Sequence, residues 1–232
     1  MSPAVIKIEA INFLKALSKN NNRDWFNKHK VRYTEAHNNI IAFADALLFE
    51  MTKHDLIETP SGKKSLFRIY KDVRFSADKT PYNTHWSGMF RRATKKLRGG
   101  YYFKIGPGVS RLAGGFWGPE PADMKRIRQD IDYNYKSWKR LLGSKTFLTT
   151  FGSMTGEKVG TAPRGYTRDH PGIDLLRHKQ FLLVHKFTDE EVCSPGFLFK
   201  ANDIFKKMRP FFDYMSDVLT TDTNGVPLNE KD

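Results

Sequence analysis

The spacing of apolar residues changes period twice along this chain, and that double switch limits the folds open to it. Trp25, Phe26, Tyr33, Ile40, Ile41, Ala44, Leu47, Leu48 and Met51 recur at helical intervals. From Phe67 to Phe75 the interval drops to two, with Phe67, Ile69, Val73 and Phe75 set against Arg68, Tyr70, Asp72 and Arg74. Beyond Pro121 the helical interval returns through Met124, Ile127, Ile131, Tyr135, Trp138 and Leu141, until Gly143 ends it. Helices on both sides of a central group of strands predict an α+β fold with a largely antiparallel sheet.

The pattern extends to both ends. Ile6, Ile8, Ile11, Phe13, Leu14 and Leu17 predict a first helix, closed by the polar run Ser18 to Asn22. Asn22 suits the N-cap of the long second helix, with Asp24 in its first turn. Thr59 to Gly62 reads as a turn, and strands are expected at Phe67–Phe75, Tyr82–Arg92, Tyr101–Ile105, Val109–Trp117 and Phe181–Phe187. That is a meander of five or more strands. Short helices are expected at Lys145–Phe151 and Ile173–His178, then a final helix over Phe197–Leu219 and a frayed tail from about 220. The whole reads as one domain over 1–232, with a helical part at 1–58, the sheet at 65–118, and helices with a further strand at 119–232.

One cysteine, Cys193, excludes an intrachain disulfide framework and any multi-cysteine zinc site. The first 22 residues read as an amphipathic helix broken by Lys7, Glu9, Asn12 and Lys15, not as a signal peptide or membrane span, so a cytoplasmic location is expected. The net charge of +14 is unevenly spread. Residues 61–100 carry 11 Lys/Arg against 2 Asp/Glu, residues 101–140 carry 8 against 4, and residues 141–232 carry 12 of each. A charge so concentrated points to an anionic partner for the middle third.

Three segments offer chemistry. The face Arg68, Tyr70, Asp72 and Arg74 is either a self-neutralising surface ladder or the wall of a polar pocket, with guanidinium forks for a carboxylate or phosphate. The turn after it adds Asp78, Lys79, Thr80 and Tyr82 but lacks the glycine spacing of a Walker loop. Gly114-Gly115, inside a strand pattern, marks a bulge or a close approach. The loop from Ala162 to Asp174 holds Arg164, Arg168, His170 and Asp174, which read as acid/base material or as ordinary turn and cap chemistry. No zinc or iron spacing is present, so no metal is expected. Tyr101, Tyr102, Phe103, Phe116 and Trp117 beside basic residues could stack on bases, but strand alternation sends half of them into the core.

Taken together, Asn22-Arg23-Asp24-Trp25-Phe26, DVRFSADKTPY, GGFWGPEP, IRQDID and PRGYTRDHPGIDLL resemble the bacterial and fungal proteins grouped as domain of unknown function 2461. The resemblance implies neither an activity nor a cofactor. It places Arg68, Asp72, Arg74, Lys79, Thr80, Tyr82, Arg164, His170, Asp174 and Lys179 on motif positions. The sequence departs from the family's pattern at Gly106, where an acidic residue is usual.

Three functions stay open. The first is a pocket for a phosphorylated or carboxylated small molecule, with or without catalysis. In it Arg68, Arg74, Lys79 and Arg164 clamp the anion, Thr80 and Asp174 complete the binding set, and Asp72, Tyr82 or His170 orients or transfers a proton. The second is a nucleic-acid-binding module using the basic 61–140 region. The third is a non-catalytic interaction domain. No feature specifies the oligomeric state.

Overall fold

A computed structural model of the protein describes residues 4–93, 96–222 and 226. Its order is α1 (Ile8–Lys19), α2 (Arg23–Lys28), α3 (Lys30–Thr52), α4 (Gly62–Ser65), β1 (Trp86–Arg91), β2 (Gly100–Ile105) and β3 (Arg111–Phe116). There follow α5 (Pro121–Tyr133), α6 (Tyr135–Leu142), α7 (Lys145–Phe151), α8 (Ile173–Leu176), β4 (Phe181–Lys186), α9 (Asp189–Val192) and α10 (Phe197–Thr220). The fold is α+β, with one antiparallel sheet in the order β1-β2-β3-β4.

The sheet has four strands where five or more were expected, because Phe67–Phe75 is not one of them. That segment touches the chain after it through isolated antiparallel bridges, Leu66 to Gly88 and Tyr70 to Tyr82. Of its supposed core face only Ile69 is buried, whereas Phe67 is 53% and Phe75 96% exposed. Alternation describes a strand only where a neighbouring backbone completes the ladder. Here Asp72 and Asp78 accept from the N–H groups of Arg74 and Thr80 instead, turning the backbone on itself. The second helix also divides, breaking at His29, although Asn22 caps it as expected by accepting from Trp25 N–H at 2.9 Å. Asn134 likewise splits the helix that begins at Pro121. Part of the tail expected to fray, residues 223–225 and 227–232, lies outside the described residues.

Contacts group the chain into two compact units. The first comprises Met1–Arg91, Tyr101–Leu112 and Lys186–Ile204. Its core sets Phe43 of α3 against Phe103 of β2, edge to face at 6.4 Å, and against Phe197, stacked at 5.4 Å. The second comprises Arg92–Gly100, Ala113–His185 and Phe205–Asp232. Its core is built on fully buried Trp138, tilted against Phe181 and edge-on to Phe211. Asp130 of α5 ties that core together, accepting from Trp138 Nε1 at 2.7 Å, Tyr214 OH at 2.7 Å and Asn134 Nδ2 at 2.6 Å. Gly115 has φ +140°, and a Cβ there would lie 2.0 Å from the Phe181 carbonyl oxygen, so β3 can meet β4 only through glycine. Among the described residues, no helix is long and apolar enough to cross a membrane.

Candidate anion-binding site

The residues singled out from the sequence fall in both units. In the first unit, Arg74 grips Asp72 with two nitrogens, Nε at 3.0 Å and Nη2 at 2.6 Å, and both side chains are largely exposed. The arginine holds the Asp72 carboxyl below its usual range. Lys71, deeper in the segment, bonds Asp78 at 2.7 Å and Thr80 Oγ1 at 2.8 Å, while Lys79 donates to the Val73 carbonyl at 3.1 Å. The Arg68 side chain is exposed. Tyr82 is buried, its ring stacked 4.0 Å from Phe26 and its backbone held by the Asn21 amide. Burial raises its hydroxyl pKa. The Asp72–Arg74 pair therefore satisfies itself in solvent, where such pairs contribute little. Arg74→Ala is expected to leave the midpoint of a urea titration unchanged.

In the second unit, His170 Nε2 lies 3.0 Å from Asp132 Oδ1, and its Nδ1 accepts the Gly172 N–H at 3.0 Å. That acceptance leaves the ring proton on Nε2, donated to Asp132, so both nitrogens are engaged. Arg164 is exposed, as is Asp174 in the first turn of α8, and Lys179 pairs with Glu157 at 3.9 Å. Two charges of the basic run before β2 are also engaged within this unit: Arg92 is fully buried against Asp213, and Arg98 pairs with Asp123. Lys95 of that run lies outside the described residues.

A different set of cations in the first unit lacks such partners. Strand β2 alternates strictly, burying Tyr101, Phe103 and Ile105 and leaving Tyr102 and Lys104 partly exposed on the other face. The turn Pro107-Gly108 is closed by Val109 N–H to the Gly106 carbonyl at 3.1 Å. Extending that pairing by two residues on each strand sets Lys104 opposite Arg111. The Cβ position of Gly106 lies 2.9 Å from His85 Cβ, so the chain ahead of β1 runs hard against this turn. Among the described residues, neither the Lys104 nor the Arg111 side chain makes a hydrogen bond or an ion pair, and the His85 side chain makes none.

The electrostatics reflect this convergence. The His85 pKa is lowered to about 4, first by burial and then by Lys104, Arg111 and Lys71. The Lys104 pKa is lowered by burial and by Arg111. Two cations facing each other on a sheet without a carboxylate are mutually destabilising. Among the described residues, Lys71 alone of the four carries an acidic partner, Asp78. On the same unit, an open cleft of about 470 Å³ is lined by the apolar Leu66, Phe67 and Met89 together with the charged Glu58, Lys64 and Arg91. Among the described residues, no cluster of three or more His, Cys, Asp or Glu is arranged to hold a metal ion.

The sequence motifs and the whole-chain comparison agree. A family model described as Conserved hypothetical protein (DUF2461) matches residues 9–214. The chain belongs to this family. No curated protein and no solved structure matches it. The DUF2461 description carries no activity, so the functional reading has to come from the geometry. Sequence patterns did not single out His85, Lys104 and Arg111, although the alternation of Lys104 with Phe103 and Ile105 already placed its side chain away from the core.

Proposed function

We propose that the outward face of β2–β3 in the first unit binds a small anion, a phosphate or carboxylate group, between Lys104 and Arg111 beside His85. The observation carrying this reading is the unpaired Lys104–Arg111 couple flanking a half-buried, neutral histidine. An anion would relieve their repulsion, with the Arg111 fork donating to two of its oxygens and Lys104 supplying a point charge. Neutral His85 can donate one ring N–H without adding charge. The reading concerns recognition and assigns no reaction. Engagement of Arg92 and Arg98 within the protein favours it over a long nucleic-acid footprint.

The test is a calorimetric titration of the full chain with sulfate, which does not titrate near neutrality, alongside an NMR titration of His85. A bound anion favours the imidazolium, so the His85 pKa is expected to rise from about 4. By linkage, binding then takes up a proton, and affinity increases as pH falls towards 4. Absence of binding heat at low ionic strength, with an unmoved His85 resonance, would reject the reading.

A further inference from the structure

We propose that the outward sheet face of the first unit binds a short stretch of single-stranded nucleic acid. Its bases stack on Phe67 and Tyr102, and its phosphates are held on both sides of that patch, by Arg91 at one end and by Lys104 and Arg111 at the other. The proposal rests on the anion-binding reading, whose cation pair forms one of the two phosphate positions.

The aromatic patch comes first. Strands β1 and β2 bury alternate residues, and the Cβ position of Gly88 lies 2.6 Å from the Phe103 ring, so these two are neighbours on the buried face. One step along each antiparallel strand makes Met89 and Tyr102 neighbours on the outward face. Phe67 extends this row from the edge of β1, its N–H donating to the Ser87 carbonyl at 2.9 Å. Its ring lies 6.4 Å from that of Tyr102, tilted by 33°, so the two make one aromatic surface. Phe67 is 53% exposed, and a ring so held and so open is a surface on which a base can stack.

Cations leave that row in opposite directions. Arg91 follows Met89 by two residues and lines one cleft with Met89 and Phe67. Lys104 follows Tyr102 by two, but β2 runs opposite to β1, so each cation stands about 7 Å along its own strand on a different side of the patch. Arg111 faces Lys104 across the hairpin. Among the described residues, the Arg91 side chain makes no hydrogen bond or ion pair, as is true of Lys104 and Arg111. Glu58 lines the cleft together with Lys64 and Arg91, so that end stays net positive. Inorganic phosphate, a carboxylate or a nucleoside monophosphate brings charge to one end only. Within a nucleic-acid strand every internal nucleoside has a phosphate on both sides. Stacking on protein rings requires unpaired bases, which excludes a duplex. Because Arg92 and Arg98 are engaged within the protein, the footprint is confined to this face and to a few nucleotides.

The experiment measures fluorescence anisotropy of labelled octauridylate and octathymidylate on the full chain across a salt series, with inorganic polyphosphate and a DNA duplex as competitors. At least one octamer is expected to bind, and neither competitor should displace it at equal phosphate concentration. Phe67→Ala should weaken the binding roughly 5- to 100-fold at an unchanged salt slope and thermal midpoint, since it removes a stacking ring from a half-exposed position. Phe67→Tyr, which keeps the ring, should restore it. Arg91→Ala and Lys104→Ala should each flatten the slope of log affinity against log salt by about 0.7, the loss of one phosphate contact on a single strand. The ratio of the two octamers identifies RNA or DNA as the source. If polyphosphate or duplex competes equally, or Phe67→Ala changes nothing, the chain is a general polycation and the proposal is overturned. An unchanged salt slope in Arg91→Ala and Lys104→Ala overturns it too, because the strand then lies elsewhere. If sulfate binds and neither octamer does, this proposal fails and the anion-binding reading stands. If sulfate and both octamers fail to bind, the two fall together.

Discussion

Arg111→Glu is expected to weaken sulfate or phosphate binding by about 100-fold or more, since it removes a charge-assisted fork and sets a carboxylate where the anion would sit. The same substitution should leave the free protein as stable as before, or more stable by up to about 1 kcal/mol, because the introduced carboxylate could pair with Lys104 across the β2–β3 hairpin. This combination separates a ligand-binding arginine from a structural one, whose reversal would cost stability. Arg111→Lys should retain part of the affinity, as a point charge replaces the fork. Calorimetry and a urea titration on the three proteins check both halves. Loss of binding accompanied by a fall of several kcal/mol in stability would show that Arg111 is structural.

Asp130→Ala should lower the stability of the second unit by about 3–5 kcal/mol, the largest stability effect expected here. The substitution strips the acceptor from Trp138 Nε1 and Tyr214 OH together, and Trp138 is fully buried. Burial, the Asp130 hydrogen bond and its charge push the Tyr214 hydroxyl well above its usual range. Tyr214→Phe removes one donor and should cost about 1 kcal/mol. Asp130→Asn keeps one acceptor oxygen and should fall between the two. Urea unfolding followed by tryptophan fluorescence reads each variant. A loss below about 1 kcal/mol for Asp130→Ala would mean that other groups satisfy Trp138.

The parts of this fold that the sequence disclosed are those where one period runs unbroken. Apart from partly exposed Ile41, Ile40 to Met51, Tyr101 to Ile105 and Phe197 to Leu219 bury the residues their spacing selects. Phe67–Phe75 misled because alternation is a property of one segment and a strand is a property of two. The partner backbone meets it at Leu66 and Tyr70, and beyond them Asp72 and Asp78 capture the N–H groups. The breaks at His29 and Asn134 depend on local hydrogen bonds too weak to interrupt an apolar stripe. The cationic site escaped for a geometric reason. Lys71, His85, Lys104 and Arg111 lie on separate segments, and the charge excess of residues 61–140 did not reveal which cations would converge and which would be internally paired. The family motifs were legible throughout, and they cover the chain without naming its chemistry.

The Asn21 side chain binds both polar groups of the Tyr82 backbone, N–H at 3.1 Å and C=O at 2.9 Å, where a neighbouring strand would ordinarily do so. The excursion from Leu66 to Thr84 is thus fastened at its base, and its tip satisfies its own charges through Asp72–Arg74 and Lys71–Asp78. A segment with those two properties behaves as a module. Residues between Val73 and Ser76 can accept inserted sequence, such as an epitope or a labelling tag, without transmitting the change to the Tyr82–Phe26 stack below.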